Sequence, residues 1–382
     1  MINIVNKEDC CGCTACENIC NHKAISMCED EEGFRYPVID SSKCVDCGLC
    51  DKVCPIIMRD TQNINFKPLK VYGLYHKDRN LVSQSSSGGI FTTIANQFIN
   101  EGGIVYGVGY DNNMTVRHMR AETQMEMSKF RGSKYVQSDL SGIFKEIKED
   151  LKNNKVLFVG TPCQTQGLKN YLIREYPNLL TIDLVCHGVP SPKVFADYIT
   201  YANKHLKTNI RYMSMKDKSD GWRNPKVRLE CEGFSETGTV LTQLWYNIYI
   251  DSIVTRPVCH KCRWSNYSRS GDFTIGDFWG IEKSHPEFAN DFGTSLLFIN
   301  SKKGSEYWDK IKDNCEFIES SIDKCQQEAL TRPCKAASDR EQFWISYLNS
   351  GFKKTMEHRF YISKKRMFLK RVQAKIFRFL NS

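Results

Sequence analysis

Cys10-Cys11-Gly12-Cys13-Thr14-Ala15-Cys16-Glu17-Asn18-Ile19-Cys20 and Cys44-Val45-Asp46-Cys47-Gly48-Leu49-Cys50-Asp51-Lys52-Val53-Cys54 write one pattern twice, C-x2-C-x2-C-x3-C, with every cysteine displaced by 34 residues. Such an internal repeat marks two equivalent structural units. Three thiolates two residues apart wrap one face of a cubane, while the fourth turns away and reaches a second cubane. The spacing assigns Cys10, Cys13, Cys16 and Cys54 to one 4Fe-4S cluster, and Cys44, Cys47, Cys50 and Cys20 to another. The competing readings are structural zinc, which closes at four ligands from paired C-x2-C units, and packed thiols. Cys11 and Cys28 fall outside the pattern and read as small buried residues.

Between the runs, Cys20 to Ile25 reads as a short turn and Gly33 to Asp40 as a strand leading into the second half. This stretch resembles the bacterial two-cluster ferredoxins, with one departure: Pro55 follows the second run, whereas Asn21 follows the first. The chain has 382 residues, enough for two or three units that each bury a core. Its eighteen cysteines sit in clusters, which favours metal ligation over disulfides. The N-terminus has no apolar leader, and no segment approaches the roughly 18 apolar residues of a membrane span. A reducing cytoplasm is the expected location.

Thr61 to Pro68 is polar and ends in proline, so it reads as a linker to a larger unit beginning near Val71. There the strand Val71 to Tyr75 precedes Gln84-Ser85-Ser86-Ser87-Gly88-Gly89 and the periodic segment Ile90 to Ile99, a Gly/Ser loop feeding a helix N-terminus. Free N–H groups and the helix dipole at such a place favour a phosphate, although an ordinary N-cap looks the same in sequence. Two further strands, Lys155 to Gly160 and Leu180 to Val185, run into Thr161-Pro162-Cys163-Gln164 and Cys186-His187-Gly188. With Gln164 to Tyr171 as the crossover helix these strands are parallel neighbours, which brings Cys163 and Cys186 to one sheet edge. Cys163 would open that helix, a position that stabilises a thiolate. Cys259 and Cys262 add a C-x2-C pair, so these four cysteines form a candidate third 4Fe-4S site. A redox-active C-x2-C, a zinc site, unrelated buried thiols, and Cys163 with His187 as nucleophile and base are the competing readings. Cys231, Cys315, Cys325 and Cys334 lack ligand spacing and read as core or surface thiols.

Thr161-Pro162-Cys163-Gln164, Cys186-His187-Gly188-Val189-Pro190-Ser191, the Cys259/Cys262 pair, Gly276-Asp277-Phe278-Trp279-Gly280 and Ser86-Ser87-Gly88-Gly89 resemble the family of coenzyme F-420 hydrogenase/dehydrogenase beta subunits, over about Val71 to Asn300. The resemblance implies FAD beside a third cluster. It also implies that Ser87, Gly88, Gly89 and Thr161 are cofactor-side residues, that Lys134 is the charge nearest the flavin, and that His187 is the candidate proton donor. The fold class expected is α+β for a small ferredoxin-like unit (residues 1–62), fused to a mixed α/β flavin and iron-sulfur unit (63–150 and 151–345), with a basic helical tail (346–382).

The function implied is an iron-sulfur flavoprotein oxidoreductase. It would exchange electrons between a small-molecule hydride carrier or organic substrate and 4Fe-4S clusters, and pass them to or from a redox partner protein or ferredoxin-type donor. A non-catalytic electron-delivery subunit is the alternative. Residues 351–382 contain ten Lys/Arg against one acid, Glu357, and so account for the whole formal charge of +9. Phe368, Val372, Ile376 and Phe379 fall on one stripe of this segment, which suits an anionic membrane surface, an acidic partner, or packing on the protein body. No nucleic-acid motif accompanies the charge.

Overall fold

The computed structural model describes residues 2, 4, 6–61 and 67–360. The stripe from Phe368 to Phe379 and most of the linker lie outside the described residues.

The small N-terminal unit pairs β1 (Ile25–Glu29) with β2 (Arg35–Ile39) antiparallel, flanked by the short helices Ala15–Ile19 and Leu49–Val53 that follow the two cysteine loops. Cys28 is exposed on the outer face of β1, which corrects the expectation that it is buried. Side chains alternate along a strand, so Cys28 lies opposite to the face that Ile25 turns inward.

The larger unit is built on an eight-stranded sheet. In chain order its members are β3 (Lys70–His76), β4 (Ile104–Tyr110), β5 (Val116–Ala121), β6 (Val156–Gly160), β7 (Leu179–Leu184), β11 (Phe273–Asp277), β12 (Ser295–Ile299) and β13 (Cys315–Ser320). In space they run β13-β3-β12-β11-β7-β6-β4-β5. The four central strands β4, β6, β7 and β11 are parallel, and antiparallel strands flank them on both sides. Val156-Leu157-Phe158-Val159-Gly160 is apolar throughout and buried throughout, as a strand covered on both faces requires. A separate three-stranded sheet, β8 (Ile210–Asp217), β9 (Lys226–Cys231) and β10 (Phe234–Thr237), packs with the helices Pro192–Leu206 and Val240–Ile250 around Trp245. The helix Arg340–Arg359, kinked at Gly351, adds Phe343, Trp344, Phe352 and Met356 to that core. No helix among the described residues is long and apolar enough to cross a membrane.

The two units share one hydrophobic core: Ala15, Ile19, Val53 and Ile56 pack with Phe144, Phe158, Leu168 and Trp264. The approach is close because Gly167, on the helix Pro162–Leu172, has no side chain; a Cβ there would stand 2.9 Å from both Cβ and Sγ of Cys13. Polar clamps flank the contact. Arg59 donates to the carbonyls of Arg263 and Ser268, and Arg340 makes a bidentate pair with Glu32.

Candidate functional site

The repeat in sequence is a repeat in backbone. Gly12 and Asp46, 34 residues apart, both adopt positive φ (69° and 52°), as do Thr14 and Gly48 (64° and 69°), which precede the two short helices. A non-glycine residue held left-handed costs on the order of 1–3 kcal/mol and persists where surrounding structure imposes it. Here Thr14 and Asp46 curl each loop around an open hollow. One hollow is lined by Cys10, Cys13, Cys16 and Cys54, the other by Cys20, Cys44, Cys47 and Cys50. The helices Ala15–Ile19 and Leu49–Val53 pack on each other, so the fourth cysteine of each run reaches the opposite hollow. Backbone N–H groups point at sulfur, Ile2 N to Cys50 Sγ at 3.3 Å and Ala24 N to Cys20 Sγ at 3.3 Å.

A third hollow contains Cys163, Cys186, Cys259 and Cys262, with Cys11 and Trp264 at its edge. The parallel neighbours β6 and β7 deliver the first two, at the start of Pro162–Leu172 and just beyond Leu184. The short 3-10 helix Pro257–Lys261 carries Cys259, and Cys262 follows it. The helix start does not lower the Cys163 thiol as its position suggests: contact with Cys11, then burial, push it well up. Burial, then Cys163 and Cys262, push Cys186 up to about 12. Buried thiols crowded in this way ionise only against strong positive charge, such as a bound metal supplies. Among the described residues no three His, Cys, Asp or Glu side chains converge tightly enough to hold a single ion.

Beside this hollow opens a cavity of about 700 Å³, within the range of about 300–1,000 Å³ usual for small-molecule and cofactor sites. Thr161, Cys186, His187, Gly188 and Val189 line both, so one wall separates this cavity from the thiols. Thr161 caps Pro162–Leu172, its N–H donating to Gln164 Oε1 at 2.9 Å and its hydroxyl lying 3.2 Å from Cys163 Sγ. Ser86, Ser87, Gly89 and the first turn of the helix Ile90–Asn100 line the opposite side. Gly88 departs from the expected set: it is turned into the sheet, its N–H donating to Ser295 Oγ at 2.9 Å, and does not reach the cavity. A Cβ at Gly88 would collide with the carbonyl of Leu74 and stand 2.8 Å from the Ser295 nitrogen, both backbone. Gly88→Ala is therefore expected to cost about 1–3 kcal/mol of stability, read as a lowered Tm in thermal unfolding.

Lys134 lines the cavity, but its Nζ donates to the carbonyls of Lys129 (3.0 Å) and Arg131 (2.7 Å), and desolvation lowers its pKa to about 7. His187 is half-buried at the shared wall, its ring edge-on to Tyr249 and its Nε2 3.5 Å from Ser252 Oγ. Several residues here were not singled out by sequence. Lys218 donates to the carbonyls of Val82, Ser87 and Phe292 and so clamps the Ser/Gly loop. Lys216 pairs with Asp277, which also accepts from Trp222 Nε1 at 3.0 Å, while Trp222 stacks on Trp279. The Gly276-Asp277-Phe278-Trp279-Gly280 run offered a signal for that wall; nothing local marks Lys216 or Lys218.

Residues 153–324 match the family described as the C terminus of the coenzyme F420 hydrogenase/dehydrogenase beta subunit, and residues 9–56 match the 4Fe-4S dicluster domain. The chain is 23% identical to the F subunit of F(420)H(2) dehydrogenase from Methanosarcina mazei, over 83% of this chain and 86% of that one. It is 25% identical to coenzyme F420-dependent sulfite reductase of Methanocaldococcus jannaschii over 56% of this chain and 33% of that protein, about a third of its length. A chain of the F420-reducing NiFe hydrogenase complex from Methanosarcina barkeri superposes with a TM-score of 0.49 and 21% identity, over 80% of this chain and 96% of that one.

Proposed function

From a chain that joins a 4Fe-4S dicluster domain to a coenzyme F420 hydrogenase/dehydrogenase beta-subunit region, we propose an oxidoreductase that exchanges electrons between a hydride carrier and iron-sulfur clusters. The observation that carries this reading is the shared wall: Thr161, Cys186, His187, Gly188 and Val189 face the cavity on one side and the third hollow on the other. Cys11 continues the series, since it lines both the third hollow and that of Cys10, Cys13, Cys16 and Cys54.

In this reading Cys163, Cys186, Cys259 and Cys262 hold one cluster and the two ferredoxin hollows hold the others. The cavity takes FAD, with Ser87, Gly89 and Thr161 on its walls, and a deazaflavin of the F420 class named in the relatives is the candidate hydride carrier. Bound flavin supplies the exchange between a two-electron hydride and single electrons. The chain's part is placement: the Lys218 clamp fixes the loop, the Trp222–Trp279 stack and the Lys216–Asp277 pair form a rigid wall, and His187 stands where a proton is needed. Cys47, exposed at the second ferredoxin hollow, is the outlet towards a redox partner protein.

The test is anaerobic purification with flavin quantitation, followed by addition of reduced F420, NADH or NADPH while cluster absorbance is followed. Bound flavin and bleaching by one hydride donor are expected. Clusters without flavin, and no bleaching by any donor, would overturn the proposal in favour of a subunit that only delivers electrons.

A further inference from the structure

Arg256 is buried completely and holds its charge against neutral groups. Its Nε donates to Cys10 O at 2.8 Å, its Nη1 to Gln137 Oε1 at 2.9 Å and its Nη2 to Arg35 O at 2.9 Å, with Cys10 Sγ 3.6 Å from Nη2. The faces of Tyr36 and Phe34 cover the guanidinium at 4.3 and 5.2 Å. No carboxylate is among these acceptors, and a buried cation without a counter-charge is expensive. The sulfur of Cys10 is the one partner that carries negative charge when it ligates iron.

The backbone of Arg256 belongs to the third site, because its carbonyl accepts from Cys259 N at 2.9 Å. Its side chain reaches the first cysteine loop of the other unit. The loop is moulded to it: a Cβ on Gly12 would stand 2.9 Å from Arg256 Nη1 and 2.7 Å from Gln137 Nε2, and Gln137 donates to Cys11 O at 3.1 Å. Neither ferredoxin hollow has Arg or Lys among the residues described as lining it; Arg256 stands behind the first, against the sulfur of Cys10.

We propose that Arg256 is a positioning and potential-setting residue for the cluster held by Cys10, Cys13, Cys16 and Cys54, raising its reduction potential and separating it from that of the second ferredoxin cluster. The inference rests on reading those hollows as cluster sites. One-electron reduction adds a negative charge to a centre already carrying that of its thiolates, and a fixed cation in a dry setting favours the reduced form.

The test is an EPR-monitored potentiometric titration of the full-length, anaerobically purified protein, in which dithionite-reduced mediators supply one electron to each cluster. Iron and sulfide are quantified first, so that failure of the cluster reading shows as missing iron rather than as an unmoved potential. In Arg256→Gln, one ferredoxin potential should fall until the oxidised-to-reduced ratio at the wild-type midpoint rises at least tenfold, about 59 mV for one electron. The other ferredoxin potential should stay in place, and Arg256→Lys, which keeps the charge, should restore most of the shift. If Arg256→Gln does not load iron, Gln137→Glu sets a carboxylate against Arg256 and should produce the same fall. Unmoved potentials in an iron-replete variant, or equal shifts in the Gln and Lys variants, would overturn the proposal.

Discussion

Cys259→Ala is expected to lower the iron of the anaerobically purified protein from about twelve to about eight per chain, with both ferredoxin signals kept. Cys259 lines only the third hollow, on a short 3-10 helix away from the two ferredoxin loops, so its removal leaves the other eight ligands where they were. A cubane with three thiolates in a buried pocket loses the charge that balanced it. The neighbouring thiol of Cys334 is buried, with Sγ 3.6 Å from the Cys259 carbonyl, but it is not among the thiols that line the third hollow. Cys334→Ala alone should therefore retain about twelve iron, and the double variant should hold about eight. Twelve iron in the double variant would remove Cys259 from the ligand set.

Asp183→Ala should be the most destabilising single change outside the thiols. Asp183 and Arg269 are both essentially unexposed. Asp183 Oδ1 accepts from Arg269 Nε (3.1 Å) and Nη2 (3.0 Å), and its Oδ2 accepts from the N–H groups of Ser270 (2.8 Å) and Gly271 (2.7 Å). Every acceptor site of a buried carboxylate is thus used, and removing it orphans two amides and a guanidinium together. Breaking such a pair costs about 3–5 kcal/mol. Arg269 also donates to the carbonyls of Leu184 and Trp264, two residues from Cys186 and from Cys262, so the damage falls where the third hollow is assembled. An apparent Tm lowered by on the order of 5–10 °C is expected by circular dichroism at a fixed scan rate. A drop no larger than that of Asp309→Ala, which breaks the exposed pair with Lys312, would refute the assignment.

What could be read from sequence shares a property: it is short-range. Each ligand run spans eleven residues and recurs 34 residues on, a spacing that fits a cubane, and the left-handed turns at Gly12/Asp46 and Thr14/Gly48 curl it around an open hollow. The strands β6 and β7 and the helix between them are likewise legible, because an apolar run, a Thr-Pro cap and a second apolar run dictate a parallel crossover. Cys163 and Cys186 come together as a consequence of that local order.

The rest depends on chain separation. Gly88 looked like a phosphate donor until β12 supplied Ser295 Oγ, 207 residues away, to take its N–H. Cys11 carried no spacing signal and lies between two hollows because Gly167 lets one unit approach the other. Lys216 meets Asp277 and Arg256 meets Cys10 across 61 and 246 residues. Sequence by itself pointed to the thiols of the two ferredoxin sets, since ligand spacing within each run is local covalent geometry. Tertiary structure alone decided how the sets are joined and what charge stands between them, because burial and docking bring together groups that the chain keeps far apart.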